Sequence, residues 1–148
     1  MAEWQNDTEL VRLAQRDLYS AVVGDIMDKL GLLHQFLPPQ VHPLRADMFV
    51  IGRAMPALEC DWKEGDANTP AGPPPDQPFG LMLKALDDLK PNEVYVCGGG
   101  SAAYAQWGEL MSAAAQRRGA VGAVIAGYSR DTRGICALDF RLLSRICG

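Results

Sequence analysis

The sequence is poor in the features that mark several large classes of protein. Its four cysteines are scattered over 148 residues and form no C-x-x-C pair. This argues against a disulfide framework or a zinc site and fits a reducing, cytoplasmic setting. It contains no long apolar run, and its first residues are polar, unlike a signal peptide. We therefore expect no membrane partner.

Clustered positive charge is also scarce. The chain has 14 Lys and Arg against 18 Asp and Glu, a formal net charge of −4. Binding to nucleic acid depends on basic side chains that neutralise phosphates, so we expect no nucleic-acid partner.

The composition that remains is that of a globular protein with a hydrophobic content of 48%. We expect a single domain over residues 1–148, with a proline-rich surface loop at 61–77. Alternating helical and strand patterns predict a mixed α/β layer structure.

The pattern predicts the following elements. The first helix is expected to be capped by Asn6 or Asp7. The second is expected to be capped by Ser20, to be interrupted at Gly24 and Asp25, and to end at Gly31. Further helices are expected at 79–89 and 103–118, and strands at 48–55 (with 57–60 as a candidate continuation), 93–97 and 123–126.

A run of glycines is the first candidate for chemistry. Cys97 is followed by Gly98, Gly99, Gly100 and Ser101, between a predicted strand and a predicted helix. Successive glycines and a helix N-terminus can present backbone N–H groups to a carboxylate or phosphate. The spacing matches neither G-x-G-x-x-G nor a P-loop, so a purely structural turn is an equal alternative.

The second candidate is the pair Arg130 and Asp131, which follows the next predicted strand. In layered α/β proteins, functional groups gather where strands end, so we expect this pair to lie near the glycines. Arg130 can clamp a carboxylate at two points. Asp131 can ligate a hard divalent cation such as Mg²⁺ or Mn²⁺.

These residues together resemble the RraA-like family. The resemblance is carried by GGG at 98–100, WGEL at 107–110, AVGAVI at 120–125 and GYSRD at 127–131, with weaker matches at 20–31 and 51–54. That family includes the 4-hydroxy-4-methyl-2-oxoglutarate aldolases and the regulator of ribonuclease activity A. The resemblance implies a swivelling β/β/α domain that forms homotrimers or homohexamers, with active sites between subunits.

The resemblance also implies an activity: divalent-metal-dependent cleavage of 4-hydroxy-4-methyl-2-oxoglutarate-type 2-oxo acids to pyruvate, with accompanying oxaloacetate decarboxylation. By position, Arg130 and Asp131 would be catalytic, with Asp131 the metal ligand and Arg130 a substrate contact. The backbone amides of residues 99–102 (Gly99, Gly100, Ser101 and Ala102) would hold the substrate carboxylate. A divalent cation and Arg130 would both stabilise the pyruvate enolate.

The sequence departs from the family pattern at three places. Cys97 and Ala126 each stand where many members carry Asp. The chain ends at Gly148, short of the family's C-terminal strands, so residues 135–146 are expected to lack sheet partners. Two alternatives to the aldolase stay open: a non-catalytic regulator that binds a ribonuclease or another protein, and a truncated, inactive member.

Overall fold

The computed structural model describes residues 4–61 and 79–145. The helices are α1 (Asp7–Asp17), α2 (Ser20–Lys29), α3 (Met82–Asp88), α4 (Glu109–Arg117) and α5 (Thr132–Ala137). The strands are β1 (His42–Pro43), β2 (Arg53–Glu59), β3 (Glu93–Gly99), β4 (Ala105–Trp107), β5 (Gly122–Ser129) and β6 (Leu142–Arg145). The loop predicted at 61–77 lies, apart from Asp61, outside the described residues.

The strands form one sheet in the order β1-β6-β5-β3-β2, with β4 also paired to β5. Strands β2, β3, β5 and β6 run parallel, and β1 is antiparallel to β6. Parallel strands need crossover connections, and α4 provides the one from β3 to β5. The predicted mixed α/β fold is confirmed.

The last described strand corrects an expectation. Residues 142–145 were expected to lack partners, but β6 pairs with β5 on one side and β1 on the other. Leu142 and Ser144 are fully buried, and the Ser144 hydroxyl lies 2.9 Å from that of Ser129 on β5. The pairing with β1 could not be read from the sequence, because His42–Pro43 lies in a segment that looks like a proline-rich connector.

The predicted ends of the first two helices are partly confirmed. The N-cap expected at Ser20 is wrong, because Ser20 is the first residue of α2 and Tyr19 is its N-cap. The side chain of Asn6 caps α1 by accepting a hydrogen bond from the Glu9 amide at 3.0 Å, as predicted. Gly31 follows α2 with a φ of 80°, the left-handed conformation expected there. The interruption of α2 at Gly24 is wrong: the helix passes through it, and the glycine leaves the space that the ring of Phe36 occupies.

The helix predicted from residue 103 begins six residues later. The Ser101 hydroxyl accepts a hydrogen bond from the Ala103 amide at 3.1 Å, a local turn that competes with helix formation. The chain then enters β4, which carries Trp107 into the core between Tyr95 and Phe140, with ring centroids 5.0 and 5.9 Å apart. Burial of this ring and pairing with β5 outweigh the helix propensity of the alanine-rich segment.

Two other predicted elements have different boundaries in the structure. The strand predicted at 48–55 is observed at Arg53–Glu59, and the helix predicted at 79–89 is the shorter α3, Met82–Asp88. Across residues 4–61 and 79–145, every helix is too short or too polar to cross a lipid bilayer.

Candidate functional site

The site is built where the neighbouring parallel strands β3 and β5 end. Strand β3 leads into the glycine loop, defined here as residues 98–101, and β5 leads into Arg130 and Asp131. The two strands pair directly, with Cys97 opposite Ile125. The sheet therefore presents both segments at one edge.

Arg130 and Asp131 are held by the segment that joins β4 to α4. The Arg130 amide donates to the Trp107 carbonyl at 2.9 Å, and the Glu109 amide lies 3.4 Å from Asp131 Oδ2. Arg130 Nε is 3.6 Å from the same carboxylate oxygen. Asp131 itself takes the left-handed conformation, with φ 60°. The positive N-terminal end of α4 therefore faces Asp131.

Gly108 makes this arrangement possible. A Cβ at this position would lie 2.8 Å from Asp131 Oδ2 and 3.3 Å from Arg130 Nε. The side chains of Arg130 and Asp131 are 73% and 45% exposed, so a ligand can reach both. Gly108 belongs to the WGEL motif at 107–110, and nothing in that motif indicates this role.

The glycine loop already binds a carboxylate, but one that belongs to the chain. Gly99 and Gly100 adopt φ values of 88° and 66°, and the Ser101 amide donates to Asp61 Oδ1 at 2.9 Å. The expectation that a helix N-terminus reinforces this loop is wrong, because α4 begins at Glu109 and faces Asp131 instead. The assignment of Gly99, Gly100, Ser101 and Ala102 to the substrate stays a prediction.

A buried polar cluster beneath the glycine loop escaped the sequence analysis. The Glu59 carboxyl on β2 lies near the side chains of Tyr95, Cys97 and Gln106. Burial raises the pKa of Glu59 and of Tyr95. No local pattern in the sequence marks this cluster: Glu59 lies on the same side of β2 as the half-buried Met55 and Ala57, which only the structure shows.

Cys97 is an unreactive thiol in this cluster. It is 2% exposed, and burial raises its pKa to about 12. Since the thiol stays protonated at neutral pH, Cys97 does not supply the negative charge of the Asp that many family members carry there.

The chemistry of the donors is compatible with a divalent cation at Asp131. The contacts recorded for its carboxylate among the described residues both involve Oδ2, which leaves Oδ1 for a ligand. No group of three or more His, Cys, Asp and Glu side chains occurs within residues 4–61 and 79–145. A single carboxylate fits Mg²⁺, which keeps several waters and shares its remaining positions with substrate oxygens.

Fold and site together define a mixed α/β protein whose glycine loop and exposed Arg-Asp pair follow neighbouring parallel strands. The family model for RraA-like proteins, described as Aldolase/RraA, matches residues 20–147, and the chain belongs to that family. Its members include aldolases and ribonuclease inhibitors. No curated protein matches the chain.

Solved structures share the fold. RraAS2 of Streptomyces coelicolor, an unusual member of the RNase ES inhibitor RraA family, superposes with a TM-score of 0.76 at 23% identity, over 97% of this chain and 65% of that one. The RNA-processing inhibitor RraA from Thermus thermophilis superposes with a TM-score of 0.63 at 18% identity, over 88% and 68%.

A structure described among novel cellulases from microbes of the gut ecosystem matches at 25% identity with a TM-score of 0.74. The match covers 99% of this chain and 63% of that one. The chain therefore spans slightly less than two thirds of the length of this protein and of RraAS2.

Proposed function

We propose that the protein is a divalent-metal-dependent lyase that releases pyruvate from 4-hydroxy-4-methyl-2-oxoglutarate-type acids and also decarboxylates oxaloacetate. The observation that supports this best is the exposed Arg130 guanidinium, 3.6 Å from the Asp131 carboxylate, over the space left by Gly108. A binding module would not need a cation and an anion at the end of the strand that neighbours a carboxylate-binding loop. The aldolase branch of the family supplies the matching reaction.

In this proposal Arg130 recognises the 2-oxo acid. Its planar guanidinium donates two parallel hydrogen bonds, which suits the adjacent oxo and carboxylate oxygens. Cleavage of the C–C bond leaves negative charge on the oxo oxygen as the enolate forms. Arg130 is tethered through its own amide to Trp107, so its charge is near that oxygen before the reaction begins.

Asp131 would hold Mg²⁺ or Mn²⁺. When bound, the cation supplies Lewis acidity to the oxo and carboxylate oxygens. The Glu109 amide at the N-terminus of α4 and Arg130 Nε both lie beside Asp131 Oδ2, 3.4 and 3.6 Å away. Asp131 and Arg130 are therefore the residues that we assign to catalysis.

The glycine loop would receive the substrate carboxylate through the amides of residues 99–102. Because the Ser101 amide is bonded to Asp61, the substrate has to displace this carboxylate or use the neighbouring amides. The expected partners are a small 2-oxo acid and further copies of the chain, as a homotrimer or homohexamer. A cytoplasmic location is part of the same proposal.

A regulator that acts through protein contacts is the second candidate. It is favoured by an apolar surface on α2 and the connector that follows, where large hydrophobic side chains are exposed: Tyr19, Ile26, Leu30, Leu32, Leu33, Phe36 and Leu37. Exposed apolar surface of this extent marks interaction sites. The same surface would also serve assembly of identical subunits, so it does not by itself favour a foreign partner.

Turnover tests the enzyme proposal. We expect Mg²⁺ or Mn²⁺ to support pyruvate release from 4-hydroxy-4-methyl-2-oxoglutarate or oxaloacetate, measured with coupled lactate dehydrogenase. EDTA and Asp131→Asn should each reduce the rate by about 10²-fold or more, since each removes stabilisation of the enolate. Asp88→Asn, an exposed carboxylate at the end of α3, is the matched control and should leave the rate unchanged.

Turnover that is indifferent to both EDTA and Asp131→Asn would contradict the metal assignment. A folded protein without turnover on either acid, in either metal, would contradict the lyase proposal and favour the regulator.

A further inference from the structure

The buried cluster beneath the glycine loop has no part in the function proposed above. It joins Glu59 of β2, Tyr95 and Cys97 of β3, and Gln106 of β4. Tyr95 and Cys97 are almost completely buried, and Gln106 is 7% exposed. Burying four polar side chains together is costly unless their hydrogen bonds are satisfied, so their arrangement needs a reason.

Gln106 connects this cluster to the glycine loop. Its Nε2 donates to the Gly99 carbonyl at 2.6 Å. A Cβ on Gly100 would lie 2.7 Å from Nε2, and a Cβ on Gly127 would overlap Oε1. Two glycines from different segments thus leave the volume that this one side chain fills. The Gln106 side chain therefore packs against Gly127 of β5 and is hydrogen-bonded to Gly99 of the loop.

Two buried acceptors in the cluster lack a donor. Glu59 Oε1 and Gln106 Oε1 are both shielded from solvent and have no hydrogen-bond partner among the described residues. Turning the Gln106 amide over would not help, because Nε2 has to face the Gly99 carbonyl. A proton on Glu59 would supply the missing donor. Ionised Glu59 would instead leave a buried carboxylate beside an unsatisfied amide oxygen.

We propose that Glu59 is held as a neutral carboxylic acid and acts through Gln106 as a positioning residue for the glycine loop. Loss of its proton would push the Gln106 oxygen away, weaken the bond from Nε2 to the Gly99 carbonyl and shift the loop amides. The link to substrate binding rests on the proposed function, in which these amides receive a carboxylate. The coupling between Glu59 and the loop does not depend on the proposed function.

The other titratable groups around the cluster can be distinguished from Glu59 as the cause of a pH-dependent change in the loop. Burial raises the pKa of Tyr95 and of Cys97, so both keep their protons at neutral pH. Asp61, bonded to the Ser101 amide, is the other carboxyl that faces the loop. The pKa of Glu59 is raised overall, as a neutral acid requires, because burial raises it more than the nearby Cys97, Gln106 and Tyr95 side chains lower it.

The test is a pH titration of the full chain by NMR without substrate, following the Glu59 side-chain ¹³Cδ and the backbone amides of residues 98–101. We expect the loop amides to shift with the same midpoint as Glu59 ¹³Cδ, above the ordinary midpoint of a Glu. Glu59→Gln, which keeps a donor at every pH, should abolish the shift. Asp61→Asn and Glu93→Gln, the latter at the opposite end of β3, should preserve it.

Stability gives a second readout. Because the folded pKa of Glu59 lies above its unfolded value, the wild type should lose stability relative to Glu59→Gln as pH rises through that folded pKa. Pyruvate affinity should fall over the same range in the wild type and not in Glu59→Gln.

Two results would overturn the proposal: loop amides that do not move while Glu59 titrates, or a loop titration that disappears in Asp61→Asn and persists in Glu59→Gln. If Glu59→Gln does not fold, the midpoints of the loop amides and of Glu59 ¹³Cδ can still be compared in the wild type and in Asp61→Asn. Different midpoints for the two signals would then overturn the proposal. Because the NMR measurement needs neither metal nor substrate, a protein without lyase activity would leave it intact.

Discussion

At the residue scale, several glycines are explained by a particular neighbour rather than by a turn. Gly108 makes room for the Arg130-Asp131 pair, and Gly127 makes room for Gln106. Gly98 is different, because a Cβ there would meet Ala126 at an ordinary 3.9 Å. Glycines that look alike in the sequence therefore differ in whether they can be replaced by a residue with a Cβ atom.

Alanine substitutions at Gly127 and Gly98 test this reading. Gly127→Ala should cost about 1–3 kcal/mol, because the added methyl overlaps the buried side-chain amide of Gln106, which could shift only by weakening its bond to the Gly99 carbonyl. Gly98→Ala, also in a strand of the sheet, should be neutral or slightly stabilising. Urea unfolding measures both free energies, and equal effects at the two positions would contradict the packing described for Gln106.

The sequence indicated Arg130 and Asp131 as candidate site residues, which stays a prediction, and did not indicate Glu59 or Gln106. The pair directly follows a strong strand pattern, and its position relative to the sheet edge follows from that pattern. Glu59 and Gln106 matter because β2, β3 and β4 bring them together, and no local pattern shows which strands become neighbours.

At the element scale, the boundary between β4 and α4 organises the site. The Trp107 indole Nε1 donates to the Ser112 hydroxyl at 2.7 Å, and that hydroxyl donates to the Gly108 carbonyl at 3.1 Å. These buried bonds join the last residue of β4 to the second turn of α4. They fix where the helix begins, and with it the amide that faces Asp131.

Ser112→Ala should therefore destabilise the protein. It leaves the Trp107 N–H without its acceptor in the core, at a cost of about 1–3 kcal/mol. Ser20→Ala in the exposed first turn of α2 is the control and should change the unfolding free energy by less than about 0.5 kcal/mol. Thermal or urea unfolding compares them, and a neutral Ser112→Ala would show that the bonds are not needed.

Element-scale prediction succeeded where a segment carries its own signal. The first helix cap, the end of α2, and the strands β3 and β5 follow from capping residues and apolar runs. Strand β4 could not be predicted, because Ala105–Trp107 has no strand pattern of its own. It forms because Trp107 packs against Tyr95 and Phe140, which are contacts between residues distant in the sequence.

At the scale of the whole molecule, the order of strands places the two halves of the candidate site together. Strands β3 and β5 lie side by side, β2 brings Glu59 under the loop, and β6 closes the other flank of β5. The mixed α/β class and the family could be predicted from the sequence. The partners of β6 could not, because the segment that forms β1 reads as a connector.

The central claim is that Arg130 and Asp131 bind a 2-oxo acid together with a divalent cation. The most direct measurement is titration of the Mn²⁺-loaded protein with pyruvate, followed by calorimetry and by the electron paramagnetic resonance spectrum of Mn²⁺. We expect pyruvate to bind and to change the spectrum in the wild type and in Asp88→Asn, and binding to be lost in Asp131→Asn or without Mn²⁺. Pyruvate binding of equal strength with and without Mn²⁺, unaffected by Asp131→Asn, would contradict the account.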